Sequence, residues 1–502
     1  MDVSKIVALG LYVLILFLIG YFASRRIKSM SDFYVGGKNM GFWAVAFSAR
    51  ATGESGWLLI GLTGMGAISG LSTYWVVVGE VLGVAISWWF MAKRFKRKTD
   101  EYQAITVPDY LESHFQSKTK TLRILASTIL SVFVVIYVSS QIDVTGKAFE
   151  SMVGINYYAG AVIGFCIVLT YIFIGGFVAA VWSDLFQGLL MFFGLLLLPI
   201  VVYFSMDGGT GIVEGLNRID PALTNPWGTS EDGWMNLATM LGFAMIGLGF
   251  LGSPQVYVRF MSIKDEVEID KGKWVAIIFT LLTDAAAVTI GVLARVLFTE
   301  SGQDPEAILG NAGEDVLSIM TENFLPYLLV AIYVAVVLSA IMSTIDSLLV
   351  IASSAITRDF YQKVFNPSIP DEDLTRMSRI VTFVMALLAL GIAMLIAVST
   401  PDRTVFWMVI FGWSGIAACF CPVIILSLFW EDYSEAGAIA SMLTGFLCVP
   451  FFKFVVVNMA GIGPYFEKLD VMAPSFLISM IVGYIFSKAF PKTESLAQKS
   501  TV

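Results

Sequence analysis

Charge is scarce in this 502-residue chain. Asp, Glu, Lys and Arg make up 14% of it, against about 25% in an ordinary soluble domain. With 57% hydrophobic residues and a mean hydropathy of +0.80, that scarcity excludes a soluble enzyme, a disordered chain and a nucleic-acid binder. The net charge of −8 also argues against a polyanionic partner. Histidine is scarcer still. The single one, His114, falls in a basic amphipathic stretch, 108–115, read as a loop, so a catalytic triad has no base and haem has no paired ligands. The four cysteines, Cys166, Cys419, Cys421 and Cys448, all lie in apolar runs, where a buried reduced thiol is the ordinary state. Neither disulfide nor zinc spacing is present, and no Gly-rich loop ends in Lys-Ser/Thr to cradle a phosphate. No enzyme and no organic cofactor is expected.

What the chain does have is apolar length. Thirteen runs reach the roughly 18–20 residues that cross a bilayer: 6–23, 41–68, 75–92, 122–142, 157–177, 184–204, 237–258, 275–297, 326–356, 380–398, 404–429, 436–456 and 473–490. The fold class is therefore an all-α polytopic membrane protein, with the lipid bilayer as solvent. The first run lacks a small-residue cleavage site and is followed, not preceded, by Arg25 and Arg26, so it reads as a span rather than a signal peptide. Of the 31 Lys and Arg residues, 23 fall in the loops after runs 1, 3, 7 and 9 and in the C-terminal tail, Lys28, Arg259 and Lys499 among them. The opposite loops, 205–236 and 299–325, are acidic, with Arg218 their only basic residue. Cytoplasmic loops collect positive charge, which places the N-terminus outside and the C-terminus inside.

Two runs carry helix breakers at mid-membrane. The second reads Gly53-Glu-Ser-Gly56, and the seventh runs from Gly247 through Gly249 and Gly252 to Pro254. Unwound backbone at that depth is tolerated only where it is buried or lines a cavity. Interrupted helices at matching places in two halves mark the binding site of a secondary transporter; close helix packing through glycine is the structural alternative. The breaks lie five runs apart, implying a five-plus-five inverted repeat. The organisation is then 1–40 as a flanking helix and inner loop, 41–204 and 205–429 as the repeats, and 430–502 as two flanking helices and a tail.

The ninth run adds Ala340, Ser343, Thr344 and Ser347 on one helical face, with Asp346 beside them. Hydroxyls and freed carbonyls suit a hard monovalent cation, although Ser and Thr also bond back to their own helix. Intramembrane charges need a reason. Arg50 and Glu54, four apart, can pair, or Glu54 can enter the site. Asp184 either favours a helix N-terminus or reaches the Asp346 cluster. Asp143 and Asp284 are left without a role, and Glu80, Arg295 and Lys453 lie near enough to run ends to snorkel.

Several motifs agree in order and spacing with a known family. Ser55-Gly-Trp-Leu-Leu-Ile-Gly61, Phe173-Ile-Gly-Gly-Phe177 leading to Trp182-Ser-Asp184, Gly252-Ser-Pro254 with Arg259-Phe-Met261, and Ala340-Ile-Met-Ser-Thr344 running on to Ser353-Ser-Ala-Ile-Thr357 resemble the sodium/solute symporter family, most of all its sodium/proline branch. The resemblance implies sodium held by the carbonyls of Ala51, Glu54 and Ala340 with the hydroxyls of Ser343 and Thr344. It implies a second ion site, or an ion path, at Asp184, Asp346 and Ser347, and a solute beside Ser55, Gly56, Trp57, Tyr137, Ile246, Phe250 and Pro254. The chain also departs from that branch. Gly53 stands where proline symporters carry an aspartate, Glu54 replaces a neutral residue, Arg50 a small one, and Ile246 and Phe250 a tryptophan and a tyrosine. The expectation is a sodium-driven importer of a small organic solute in the cytoplasmic membrane, proline first, with sodium as coupling ion. Another amino acid, a carboxylate or a sugar, or proton coupling through Glu54, are the alternatives within transport; a solute sensor or channel is the alternative outside it.

Overall fold

The structure, a computed structural model, describes residues 3–26, 29–206 and 211–492, with the backbone alone at 171–175 and 371. Lys28 and Lys499, counted in the charge asymmetry, lie outside the described residues, as do the side chains of Phe173 and Ile174. Every regular element among the described residues is helical. The large helices are α1 (Val3–Ser24), α2 (Phe42–Gly56), α3 (Tyr74–Ile86), α4 (Thr121–Ala148), α5 (Tyr157–Ser205), α6 (Gly233–Met245), α7 (Pro254–Ser262), α8 (Glu266–Phe298), α9 (Tyr327–Ser354), α10 (Asp371–Ser399), α11 (Val405–Phe429), α12 (Glu435–Phe454) and α13 (Met472–Ala489).

Among the described residues, eleven helical runs are long and apolar enough to cross a membrane, so the expected count of thirteen is not confirmed. The difference has two local causes. The run Phe42–Glu101 spans 60 residues, about 90 Å of helix at 1.5 Å per residue, or three times the hydrocarbon core. It leaves helical geometry at Gly70 (φ 60°, ψ −138°), between the expected runs 41–68 and 75–92. Helix α5, 49 residues long, does the same at Gly176 (φ 50°, ψ −148°), and the run before it, Tyr157–Thr170, is a short one. Positive φ at these two points is readily reached only without a Cβ. The expected interruption at 178–183 therefore falls earlier, and Asp184 sits inside a helix rather than at its start.

Burial separates the centre from the rim. In Tyr327–Phe365, which contains α9, 83% of the most apolar stretch is buried, as it is in α11, against 22% in α1 and 33% in Glu372–Ser399. Every residue from 333 to 354 is buried, so the Ser/Thr stripe of α9 meets protein on all sides. Backbone pairing ties the break-containing elements together. Met40 N–H donates to Ser262 O (3.0 Å) and Lys264 N–H to Met40 O (2.9 Å). Asp265 caps α8 through Glu268 N–H, and Glu268 in turn accepts from Phe42 N–H at 2.9 Å. The start of α2 is thus tied to the segment joining α7 and α8.

Arg259 and Arg123, like Lys96, are assigned to inner loops by sequence and are in fact buried. Arg259 has no exposed side-chain surface. Arg123 is 4% exposed and pairs with Asp109, Glu112 and Asp359. Sequence position alone counted both as loop charge, whereas each is committed to carboxylates inside the bundle.

The stretch around His114 is a helix, Val107–Phe115, not a loop; Thr106 caps it and Pro108 opens its first turn. His114 stacks on Tyr110 with ring centroids 5.6 Å apart. Burial, with Lys98 and Lys492 nearby, pushes its imidazole down to about 3. An unfolded histidine titrates near 6.5, so as pH falls below about 6.5 the unfolded chain gains a proton that the folded chain refuses until about 3. Stability from this group is complete above that window and is lost through it. His114→Gln is expected to flatten the fall of the thermal midpoint between pH 7 and 5; parallel curves for the two proteins would contradict this.

Candidate functional site

Helix α2 breaks where its glycines predict. Ser55 has φ 35° and ψ −171°, which no α-helical residue adopts, and the chain returns to right-handed helical geometry at Gly56. The backbone oxygens just before the break are thereby open to other donors, and α9 supplies them. Ser343 Oγ donates to Ala51 O at 3.0 Å and lies 3.1 Å from Ala340 O. Thr344 Oγ1 donates to Thr52 O at 3.0 Å and lies 3.2 Å from Ala340 O. Two hydroxyls and three carbonyls meet in a fully buried place. These are hard, uncharged oxygen donors, the set that suits a monovalent cation.

Of the expected ligands, Ala51, Ala340, Ser343 and Thr344 come together and Glu54 does not. Its carbonyl accepts from Trp57 N–H, and Thr52 supplies the second carbonyl instead. A signal for Thr52 was available, because adjacent hydroxyls at 343 and 344 reach adjacent carbonyls, and Ala51 is followed by Thr52.

The acidic cluster has a partner that sequence reading missed. Asp184 Oδ2 accepts from Ser48 Oγ (2.6 Å), Arg259 Nη2 (3.1 Å) and, more weakly, Thr52 Oγ1 (3.4 Å). Ser347 Oγ is 3.5 Å away, at the limit of a hydrogen bond. Arg259 also donates to Thr52 Oγ1 (2.9 Å), Ser48 Oγ (3.0 Å), Gln255 O (2.7 Å) and Ser347 Oγ. Asp346 accepts from Ser347 Oγ (3.0 Å) and Ser183 Oγ (3.4 Å). Ser347 thus links Asp184 to Asp346, and a guanidinium sits where a cation path was expected. Thr52 joins the two groups, its carbonyl facing Thr344 and its hydroxyl facing Arg259.

The second break runs as a 3-10 segment, Ile246–Leu251, into α7, which Pro254 opens. Phe250 lies under the Arg50 guanidinium, 4.4 Å from ring centroid to Cζ, and against Trp413 at 5.0 Å. Trp413, unanticipated although it lies in the polar sequence Gly412-Trp-Ser-Gly415, donates to Ile246 O at 3.0 Å. A Cβ at Gly53 would lie 2.7 Å from the Phe250 ring, so the ring packs against position 53 as closely as it does only because that residue is glycine. Trp57 Nε1 donates to Gly53 O (3.2 Å). Gly56 N–H donates to Gln141 Oε1 (3.1 Å), and Gln141 Nε2 is 3.4 Å from Ser55 Oγ. Gln141 was also missed, one helical turn after Tyr137. The Tyr137 hydroxyl is buried, with the Ser55 side chain near it, and among the described residues meets no partner within good hydrogen-bonding geometry. Pro254 lines a cavity with Tyr34, Thr106, Val350 and Ser354.

The expected Arg50–Glu54 pair forms. Glu80, 1% exposed, does not snorkel; it lies 3.7 Å from Arg50 Nη2, because α3 packs its middle, not its end, against the site. Asp284 on α8 comes to the same place, and one oxygen each of Glu54, Glu80 and Asp284 lie within 4.8 Å of one another.

Comparison with known proteins gives one family. Residues 33–445 match the model of the sodium:solute symporter family. A high-affinity proline transporter of Bacillus subtilis (strain 168) is 34% identical over 475 residues, covering 94% of this chain and 95% of its own. A sodium/proline symporter of Escherichia coli (strain K12) is 31% identical over 483 residues, covering 96% and 92%. Among solved structures, a Na+-coupled sialic acid symporter in a substrate-bound, outward-open state superposes with a TM-score of 0.77 at 19% identity, over 98% of this chain and 100% of that one. A nucleobase-cation-symport-1 family transporter in a closed conformation follows at 0.54 and 12%, over 93% and 97%. At those identities the structural likeness speaks for the fold.

Proposed function

Because this chain belongs to the sodium:solute symporter family, we propose that it imports L-proline together with sodium by alternating access, as a multi-pass protein of the cytoplasmic membrane with its N-terminus outside and its C-terminus inside. Transport rather than catalysis is the family's work. The observation that carries the reading is the junction of the Ser343 and Thr344 hydroxyls with the carbonyls of Ala51, Thr52 and Ala340. Sodium entering from outside takes these oxygens and draws α9 to the broken end of α2. The solute binds beside the break, at Ser55, Gly56, Trp57, Tyr137, Ile246 and Phe250, where the buried Tyr137 hydroxyl meets no partner within good hydrogen-bonding geometry among the described residues. Asp184, Asp346 and Ser347 serve the ion on its way inward. The repeats 41–204 and 205–429 move against each other, with the remaining helices flanking them.

The energetics suffice. A tenfold sodium gradient supplies about 1.4 kcal/mol and 100 mV about 2.3 kcal/mol per charge, enough for a few hundred-fold solute gradient with one sodium.

Radiolabelled proline uptake into proteoliposomes tests the reading. Uptake under an inward sodium gradient is expected, and none when potassium replaces sodium. Uptake in neither condition removes proline, and equal uptake in both removes sodium coupling. A different small solute on the same machine is the second reading, favoured by the Arg50–Phe250–Trp413 stack standing at one wall of the site.

A further inference from the structure

Four ionisable side chains from three helices converge beside the α2 break. Arg50 and Glu54 come from α2, Glu80 from α3 and Asp284 from α8, and none is more than 1% exposed. Fully ionised, three carboxylates and one guanidinium leave two uncompensated negative charges. Burying a single ion costs several kcal/mol even after relaxation, so the cluster must be neutralised, by a bound cation or by protons on its carboxylates.

The guanidinium does not fill the gap. Its Nη2 reaches Glu54 and, at 3.7 Å, Glu80, while its plane lies over Phe250 and its Nε has no hydrogen-bond partner. Asp284 is the telling residue. It is wholly buried; its Oδ1 accepts only from the neighbouring Thr283 hydroxyl at 3.2 Å, and its Oδ2 accepts from nothing among the described residues. Glu54 Oε2 also lacks a hydrogen-bond donor among the described residues, and Glu80 Oε2 has Arg50 Nη2 only at 3.7 Å. A buried acceptor left without a partner is costly, yet here carboxylates from three separate helices are turned on one another.

We propose that Glu54, Glu80 and Asp284 bind a hard metal cation, at a site separate from the hydroxyl-and-carbonyl locus of Ser343 and Thr344. The geometry suits it. Carboxylate oxygens within 4.8 Å of one another can all touch one ion with bonds of about 2.3–2.6 Å, the range oxygen ligands make to calcium. With no thiol or imidazole in the cluster, oxygen-preferring cations are selected. Sodium, taken up with the solute, and calcium, held permanently as a strut between three helices, are two sources of the same chemistry. The ion lies against Glu54, at the break itself, so occupying the site joins α3 and α8 to the segment that must rearrange during transport.

The test is equilibrium binding of ²²Na⁺ and, separately, ⁴⁵Ca²⁺ to the full-length protein in nanodiscs. In a Ser343→Ala/Thr344→Ala background, about one ion per chain is expected to remain, and Asp284→Asn or Glu80→Gln should weaken it at least tenfold. A sodium result identifies a coupling ion, and a calcium result a structural one. Two independent carboxylate variants guard against a single misfolded protein, monodisperse elution being required of each. Unchanged binding of both isotopes in Asp284→Asn and Glu80→Gln overturns the proposal, and protons then neutralise the cluster. If sodium binds the parent only through Ser343 and Thr344, and calcium not at all, the proposal falls while sodium symport stands. If the parent binds no sodium, symport falls, and the calcium arm still decides the cluster.

Discussion

Replacing Asp184 by Asn is expected to cost this protein about 3–5 kcal/mol, the usual penalty for removing one partner of a buried ion pair. Asp184 and Arg259 are both fully buried, and the other acceptors around Arg259, namely Ser48, Thr52, Ser347 and Gln255 O, are neutral. Without the Asp184 carboxylate they leave the buried guanidinium hydrogen-bonded but without its ion-pair partner, the Asp346 carboxylate remaining as a more indirect counter-charge through Ser347. The thermal midpoint in detergent should fall by several degrees. Adding Arg259→Met removes the stranded charge and should recover most of the loss, since buried pairs exchanged for apolar residues of similar volume are often neutral or better. The departure of the double variant from additivity measures the coupling. A double variant no more stable than Asp184→Asn would mean that the pair is not what the aspartate supplies. Transport separates the second role: if Asp184 serves the ion, uptake stays lost in the stabilised double variant, whereas normal uptake would confine the pair to structure.

Ser343→Ala and Thr344→Ala carry the second large effect. A hydrogen bond or ligand contact to a charged group is worth about 1.5–3 kcal/mol, which is roughly a 10- to 100-fold loss of apparent sodium affinity for either substitution. The double variant should lose sodium dependence within any practical concentration range. Ser353→Ala is the control: its hydroxyl is also buried in the same crossing but bonds back to Val350 O at 3.0 Å, so the sodium curve should not move. Solute affinity at saturating sodium should survive in either single variant, because neither hydroxyl is among the groups proposed to meet the solute, of which Tyr137 lies on α4. A sodium curve unchanged in Thr344→Ala would remove the hydroxyl pair from the ion site.

What the sequence by itself determined about this protein is everything carried by short windows. Apolar length is local, so the membrane-crossing helices were legible. The breaks were legible too, since Gly53, Ser55 and Gly56 in one run and Gly247, Gly249, Gly252 and Pro254 in another act on their own backbone, and Ser55 and the 3-10 segment Ile246–Leu251 depart from the α-helix there. The α9 hydroxyls were legible because spacing on one helix decides which side chains share a face. Tertiary structure alone decided the partnerships. Arg259 read as loop charge because the carboxylate it pairs with is remote in sequence; Asp184 lies 75 residues away. Glu80 read as a snorkelling side chain because a window on α3 shows how near the helix end is, not that Arg50 and Asp284 stand opposite. Thr52 took the place expected for Glu54 because the register of α9 against α2 is set by packing. A side chain's own helix dictates the direction in which it points. The charge or carbonyl it meets there depends on how distant helices dock, and in a buried interior that encounter sets whether an ionised group is stable at all.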